Sequence, residues 1–330
     1  MMCTRTLRRT AAAAVLLVLV AAACSEDKSV SGNGDGGGSK LSGSISVDGS
    51  STVAALTSAA AELFQQDNPD VQITVGTSGT GGGFKKFCAG ETDMADASRP
   101  IKDDDEGEAP ACEANGIEYE EIEVANDGIA LVTNKENTWA ECLTVEQLNK
   151  IWAPDSTVSN WNQVDPSFPD QKLTLFGAGT SSGTFDFFTD QINGEEGASR
   201  SDYNATEDDN VTVQGVEGDK GALGYFGLSY YEKNQDKLNV VEVDDGEGCV
   251  KPSTDTVQDG SYAPLSRPLF IYPSSALVVR PEGVGFVTFY IENSDEIAKK
   301  SLFVPLTAEQ RQTSLDEVRA LAGAGTTSST

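Results

Sequence analysis

Apolar positions alternate in Gly43-Ser44-Ile45-Ser46-Val47, and from Val53 they return at Leu56, Ala60, Leu63 and Phe64 until Asn68-Pro69. A period of two giving way to a period of three to four predicts a strand, a turn at Asp48-Gly49-Ser50-Ser51-Thr52, and a helix that the proline stops. Either Ser50 or Ser51 is placed to cap that helix. The pattern repeats. Val71-Gln72-Ile73-Thr74-Val75 reads as a strand, Gly76-Thr77-Ser78-Gly79-Thr80-Gly81-Gly82-Gly83 as its turn, and Phe84 with Phe87 as the start of a helical stripe. Much later, Leu173-Thr174-Leu175-Phe176 leads into Gly177-Ala178-Gly179-Thr180-Ser181-Ser182-Gly183-Thr184, after which Phe185, Phe188 and Ile192 fall on one helical face. Each turn precedes a helix start, where N–H groups lack intrahelical partners and the dipole is positive, so each is a potential anion cradle. The segment Asp93 to Pro100 ends a further strand and delivers one guanidinium, that of Arg99. In open α/β sheets ligands sit at the carboxyl ends of strands, which is where all four segments fall.

The remaining pattern supplies a scaffold. Gly128 to Thr133, Gly221 to Phe226, Leu238 to Val243 and Ser266 to Tyr272 read as strands. Leu143 to Trp152, Val284 to Ile291 and Ser314 to Leu321 read as amphipathic helices, with Glu207-Asp208-Asp209-Asn210 capping another. Asn160-Trp161-Asn162 is a polar and aromatic loop on this pattern, its ring going to the core or to a partner surface. At 330 residues the chain exceeds one typical core and suggests two lobes.

Charge narrows the chemistry. The chain carries 52 acidic against 23 basic residues, a formal net charge of −29, which argues against nucleic acid and against capturing anions by bulk attraction. An anion site in such a protein has to be local. The acidic run Lys102-Asp103-Asp104-Asp105-Glu106 reads as a solvated face rather than a metal site. Gly179 to Gly183 also matches the G-x-S-x-G nucleophile elbow of serine hydrolases. The chain has no histidine to serve as its base, so the loop reads as a binding cradle and the protein as a non-enzyme.

The first 23 residues read as a signal peptide: Arg5, Arg8 and Arg9 precede an apolar run too short to span a bilayer, and Ala21-Ala22-Ala23 leads into Cys24. Small residues ending in cysteine resemble a bacterial lipobox, making Cys24 the lipid-bearing residue. Residues 24–42, rich in Ser, Gly and Asp, form a flexible tether on this reading, and the protein hangs outside the cytoplasmic membrane. Four further cysteines allow three disulfide connectivities. Cys88 with Cys112 and Cys142 with Cys249 is the favoured set, since it keeps each bridge within one lobe; no histidine or C-x-x-C spacing supports zinc instead.

The order of these motifs carries a resemblance. Asp48 to Thr52, Gly76 to Phe84, Ala97-Ser98-Arg99-Pro100-Ile101, Gly177 to Phe185, Gly221 to Tyr225 and Pro264 to Phe270 together resemble the PstS-like phosphate-binding proteins of the phosphate-specific ABC importer. The resemblance runs from about Gly43 to beyond Phe289. It implies a two-lobe α/β fold of the type II periplasmic-binding-protein class, a Venus flytrap with two crossover strands. Lobe I would comprise residues 43–130 and 263–322, lobe II residues 131–262, and residues 323–330 a disordered tail. It implies further that a monomer without cofactor or metal closes on inorganic phosphate and serves the importer's permease. The family pattern places the ligand on Ser51, Thr52 and Val53, on Thr80, and on Ser182, Gly183 and Thr184. Two positions depart from it: Arg99 replaces an aspartate, and Ala178 stands where the best-known members carry an arginine. Arg99 is therefore expected to supply the guanidinium from lobe I. Asp127, in Asn126-Asp127-Gly128, is either a substitute for the lost carboxylate acceptor or a simple Asp-Gly turn. Arg267 is a second basic candidate, read as an ion pair at the hinge. Sulfate and arsenate are alternative ligands in the same class, and a phosphatase-like hydrolase is the alternative from another.

Overall fold

The computed structural model describes residues 40–104 and 107–327. The expected signal peptide, Cys24 and the tether as far as residue 39 lie outside the described residues. In chain order the first half-lobe comprises β1 (Gly43–Gly49), α1 (Ser51–Asp67), β2 (Val71–Gly76), α2 (Thr80–Cys88), β3 (Met94–Ala97) and α3 (Ala109–Ala114). The long strand β4 (Ile122–Asn134) follows. Then come β5 (Cys142–Thr144), α4 (Val145–Trp152), α5 (Trp161–Val164), β6 (Thr174–Ala178), α6 (Gly183–Asn193) and β7 (Asn204–Thr206). This part is completed by α7 (Asp209–Gly218), β8 (Ala222–Gly227), α8 (Leu228–Glu232), β9 (Leu238–Asp244), β10 (Cys249–Val250) and α9 (Thr254–Gln258). The chain returns through β11 (Ser266–Pro273) and ends in α10 (Ser275–Val278), α11 (Pro281–Glu292), α12 (Ser294–Ser301) and α13 (Ala308–Thr327).

Two sheets share β4. Its first half, Ile122 to Gly128, pairs antiparallel with β11, and its second half, Ile129 to Asn134, pairs with β8 and β9. On one side the order is β2-β1-β3-β11-β4, with β1, β2 and β3 mutually parallel; on the other it is β4-β8-β6-β7. Parallel strands require crossover helices, and α1 and α2 are those connections. Each sheet has its own core. Ile45, Val53, Leu56, Phe64, Ile271 and Phe286 belong to one, Leu131, Trp152, Phe188, Tyr225 and Val241 to the other. The result is a two-lobed α/β molecule whose lobes are joined where β4 and β11 run side by side.

Several local expectations were refined by packing. Helix α4 starts at Val145, because Cys142 to Thr144 pair with β9 as a strand and Thr144 closes a capping box with Gln147. The Asn160-Trp161-Asn162 stretch opens a short helix, and of the two places expected for the ring it takes the core: Trp161 is fully buried, and its Nε1 donates to the Gly221 carbonyl at 2.9 Å. Leu41, inside the stretch that reads as tether, packs on the first lobe's core because its side chain is apolar. Helix α13 continues to Thr327, past the point where the tail is expected to begin, and alanine at 320 and 322 favours that continuation. Both disulfides form as expected: Cys88–Cys112 ties α2 to α3, and Cys142–Cys249 joins the strands flanking β9. Among the described residues no helix is long and apolar enough to cross a membrane.

One buried acid lies directly beneath the first turn. Asp96 on β3 is inaccessible to solvent, bonds the Thr57 hydroxyl at 2.8 Å through Oδ1, and leaves Oδ2 without a partner. Burial, with the Asp48 charge adding to it and Thr57 opposing, pushes its carboxyl up to about 7. A raised carboxyl favours folding when protonated, so this stabilisation is complete below the unfolded value near 3.8 and is lost as pH rises through 7. Asp96→Asn should therefore raise the melting temperature at pH 8 more than at pH 5. An equal shift at both values in thermal denaturation would show that Asp96 is not protonated in the fold.

Candidate functional site

The β1–α1 connection is built by close backbone approach. The amide of Ser50 donates to the Asp96 carbonyl at 2.8 Å, and the amide of Gly79 to the Gly49 carbonyl at 2.9 Å, which stitches the first two turns together. Gly83 lies so close to Gly49 that a Cβ would collide with its backbone, so α2 must present glycine to β1 there. Asp48 fixes the second turn from behind, accepting from the Ser78 amide at 3.0 Å, from the Ser78 hydroxyl and from Lys86 at 2.6 Å. Partial burial works against ionisation of Asp48, but the bonds from Lys86 and Ser78 outweigh it and hold the carboxyl below its ordinary value.

These constraints leave helix starts open. Ser50 occupies the N-cap position of α1 but its side chain makes no cap bond, and the first intrahelical bond runs from Ala54 to Ser50 at 2.9 Å. The amides of Ser51, Thr52 and Val53 are consequently unused by the helix. The same holds at α2, capped by Gly79 with no side chain, where the first bond comes from Gly83 and frees the amides of Thr80, Gly81 and Gly82. At α6, Ser182 does cap, accepting from the Thr184 amide at 3.2 Å. The positive end of each dipole faces the same direction as its free amides.

All three starts meet at one cleft of about 980 Å³. Of the residues the sequence nominated, Ser51, Thr52, Thr80, Arg99 and Gly183 line it. Ser182 and Thr184 flank Gly183 but do not line it; the Ser182 hydroxyl oxygen accepts from the Thr184 amide. The Val53 side chain is fully buried, leaving only its amide for a ligand. Gly183 backs onto Thr52 so closely that a Cβ would strike the threonine hydroxyl, which brings α6 against α1 across the lobe boundary. The Thr80 hydroxyl is paired with that of Ser98 at 3.0 Å.

The two arginines differ from expectation. Arg99 does line the cleft, yet its fork is engaged by Glu108, with Nη2 to Oε1 at 2.7 Å and Nη1 to Oε2 at 3.4 Å. Burial tends to raise the Glu108 carboxyl, but Arg99 and the Lys102 amide hold it below the usual range. Arg267, read from sequence as a hinge ion pair, is both that and a cleft residue. Its Nε and Nη2 donate to Asp127 Oδ2 at 3.3 and 3.1 Å, and Nη2 reaches the Thr52 hydroxyl at 3.3 Å. Asp127 is neither an acceptor facing a ligand nor a turn: it lies within β4, behind Arg267 and away from the cleft surface. Burial drives both partners toward neutrality, raising Asp127 and lowering Arg267, and their mutual attraction offsets this in part.

Sequence reading missed the acidic wall opposite these donors. Asp186, Asp190 and Glu196, from α6 and the loop after it, line the same cleft. Partial burial and the neighbouring Glu196 push Asp186 up to about 6, while Arg267 pulls it down. In sequence these acids are indistinguishable from the many solvated ones, and Asp190 and Glu196 stay exposed; only the fold brings them to the cleft.

This fold and cleft define a type II periplasmic-binding-protein-like receptor. A family model described as the PBP superfamily domain matches residues 35–295. Protein SphX of Synechocystis sp. is 47% identical over 274 residues, covering 82% of this chain and 81% of that one. Phosphate-binding protein PstS of Staphylococcus saprophyticus is 40% identical over 292 residues, covering 87% and 88%. The crystal structure of a possible phosphate binding protein from Planctomyces limnophilus superposes with a TM-score of 0.81 at 48% identity, covering 85% of this chain and 99% of that one. The chain belongs to the PBP superfamily and, within it, to the PstS-like phosphate-binding proteins.

The two ion pairs should respond differently to truncation. Asp127→Ala leaves a buried guanidinium without its counter-charge and should cost roughly 3–5 kcal/mol in urea denaturation. Glu108→Ala frees the partly exposed Arg99 and should cost less than about 1 kcal/mol. Equal losses would mean that Arg267 is not buried as described.

Proposed function

We propose that this protein captures inorganic phosphate outside the cytoplasmic membrane, tethered through lipid on Cys24, and hands it to the permease of an ABC importer. It acts as a binding protein rather than an enzyme, as a monomer, and without cofactor or metal. The observation that carries this reading is the convergence of helix starts from both lobes, α1, α2 and α6, on one cleft that also holds the Arg267 guanidinium. The PstS relatives carry phosphate-binding in their names, and their similarity spans nearly the whole described body.

The anion would accept from the amides of Thr52, Val53, Gly81 and Gly183 and from the hydroxyls of Ser51, Thr52 and Thr80. Ser182 and Thr184 would join when the lobes close around Gly183. Arg267 supplies the cation at the centre, with Nε and Nη2 committed to Asp127 and Thr52 and Nη1 available, while Arg99 sits at the rim, already paired with Glu108. Lobe I comprises residues 43–130 and 263–322 on this reading, and lobe II residues 131–262; the main cores follow that division except that Ile129, Ala130, Leu265 and Val304 pack with lobe II. Closure follows from donors on both sides, because the closed arrangement contacts the anion more fully than the open one.

Isothermal calorimetry tests the assignment. Phosphate should bind with a single site per chain, and Arg267→Ala should weaken it by about 100-fold, the worth of a charge-assisted bond in a desolvated site. Arg99→Ala should cost about 10-fold or less because Glu108 already holds that fork. Absence of heat with phosphate alongside strong heat with sulfate would replace the ligand. A second titration addresses the acidic wall. Asp186, with a carboxyl near 6, is ionised at pH 7.5 and mostly protonated at pH 5, so its repulsion of the anion appears only as pH rises. Asp186→Asn should then tighten phosphate binding about 3- to 10-fold at pH 7.5 and leave it unchanged at pH 5; no change at either value would remove Asp186 from the site, and an equal tightening at both would show that its carboxyl is not raised.

A further inference from the structure

Three phenylalanines crowd the first turns of α6, and only two are explained by the helix's buried stripe. Phe185, Phe188 and Ile192 recur three and four apart and pack into the lobe II core. Phe187 falls off that stripe, although its ring too packs within the lobe II core cluster. Its ring is 3% exposed, yet it forms part of the cleft wall. What it faces is a charge from the other lobe: the guanidinium carbon of Arg267 stands 3.8 Å from its ring centroid. That separation corresponds to a guanidinium lying against the ring, where the π face attracts a cation most strongly when water is excluded. The other arginine of the cleft has no such partner at close range, since Arg99 lies 5.7 Å from the Phe84 centroid and keeps 35% of its side chain exposed.

We propose that Phe187 is a positioning residue for the anion site: its ring, carried by lobe II, fixes the Arg267 guanidinium of lobe I so that the free Nη1 donor faces the cleft. This rests on the phosphate-binding reading above, and it adds how lobe II takes part in the cation's placement. Asp127 and Thr52 hold two edges of the guanidinium, both from lobe I. Those contacts fix where the group is tethered. A planar group tethered along its edges can still tilt, and a ring against its face removes that freedom. Because β11 carries the cation and α6 the ring, any opening of the lobes separates them. The guanidinium is then held in its binding orientation only when the lobes are together. Closure and affinity are coupled through this contact, beside the charges of Asp186, Asp190 and Glu196 that lobe II also brings to the cleft.

Phe187→Leu keeps an apolar side chain of similar reach but removes the π face, and Phe187→Tyr restores it. The leucine variant should bind phosphate about 20-fold more weakly in calorimetry, with the tyrosine variant within about 2-fold of the unaltered protein. In an Arg267→Ala background the leucine change should cost nothing further, because the partner it positions is gone. A leucine variant that binds like the unaltered protein, or whose loss persists without Arg267, overturns the proposal and assigns Phe187 to the core alone. Should the unaltered protein give no heat with phosphate, the functional reading fails, and the contact itself is decided by the same double-variant cycle read as ligand-free thermal stability. Non-additive shifts there uphold the coupling of Phe187 to Arg267, and additive shifts overturn it.

Discussion

A protein with a formal net charge of −29 can hold an anion only where local dipoles outweigh its own field. The donors of the cleft answer that constraint, although three acids share its wall. At physiological ionic strength charges beyond roughly 8 Å are largely screened, so the acidic exterior matters less than what lies within hydrogen-bond reach. Within that reach the donors are mostly neutral: backbone amides left open at α1 and α2 because Ser50 and Gly79 do not cap them. Amide dipoles are fixed by the fold and need no reorganisation to receive a charge. Their arrangement in turn depends on two glycine contacts, Gly83 on Gly49 and Gly183 on Thr52, which let helices approach closely enough for their starts to share one space.

Much of this was legible in the chain. Strand, glycine turn, helix is a local pattern, written in alternation and in turn residues that few other conformations use, so the three cradles could be placed before their convergence was known. The cysteine pairing was also legible, because each bridge closes within one lobe. Other features were not, and for physical reasons. Whether Ser50 caps α1 depends on a side-chain rotamer, and whether Ser182 and Thr184 face the ligand depends on their bond to each other. Asp186 is an ordinary surface acid until packing partly buries it, and Glu196, still exposed, is placed at the cleft only by the fold. Asp96 belongs to the same kind: nothing in Met94 to Ala97 except its place on an inner strand says that a carboxyl is sealed there.

The arginines show most clearly where reading a sequence stops. Arg99 follows a strand end, beside a cradle, and looked like the cation of the site; Arg267 sits in a returning strand and looked structural. Both line the cleft, and on the proposed reading their weight is reversed. Arg99 is a third exposed, and Glu108, six residues past Lys102 in an acidic stretch, folds back to occupy its fork. Arg267 reaches the middle of the cleft because β11 lies between β3 and β4, and that strand order is a property of the whole sheet.

Pairing Arg267 with Asp127 also explains how such a site can exist empty. A lone guanidinium held between two lobes would carry a large desolvation cost whenever no anion was present, and the lobes would be driven apart to rehydrate it. Asp127, buried behind it on β4, supplies a resident counter-charge that offsets this cost in the ligand-free state. The same carboxylate weakens the cation's pull on an arriving anion, because part of its field is already neutralised. On the phosphate-binding reading proposed above, affinity then comes from the sum of amides, hydroxyls and the remaining Nη1 donor, which are assembled only when both lobes contribute. On the proposed reading, a site balanced in this way would hold its ligand through closure and release it on opening, because the donors of α6 join those of α1 and α2 only when the lobes meet.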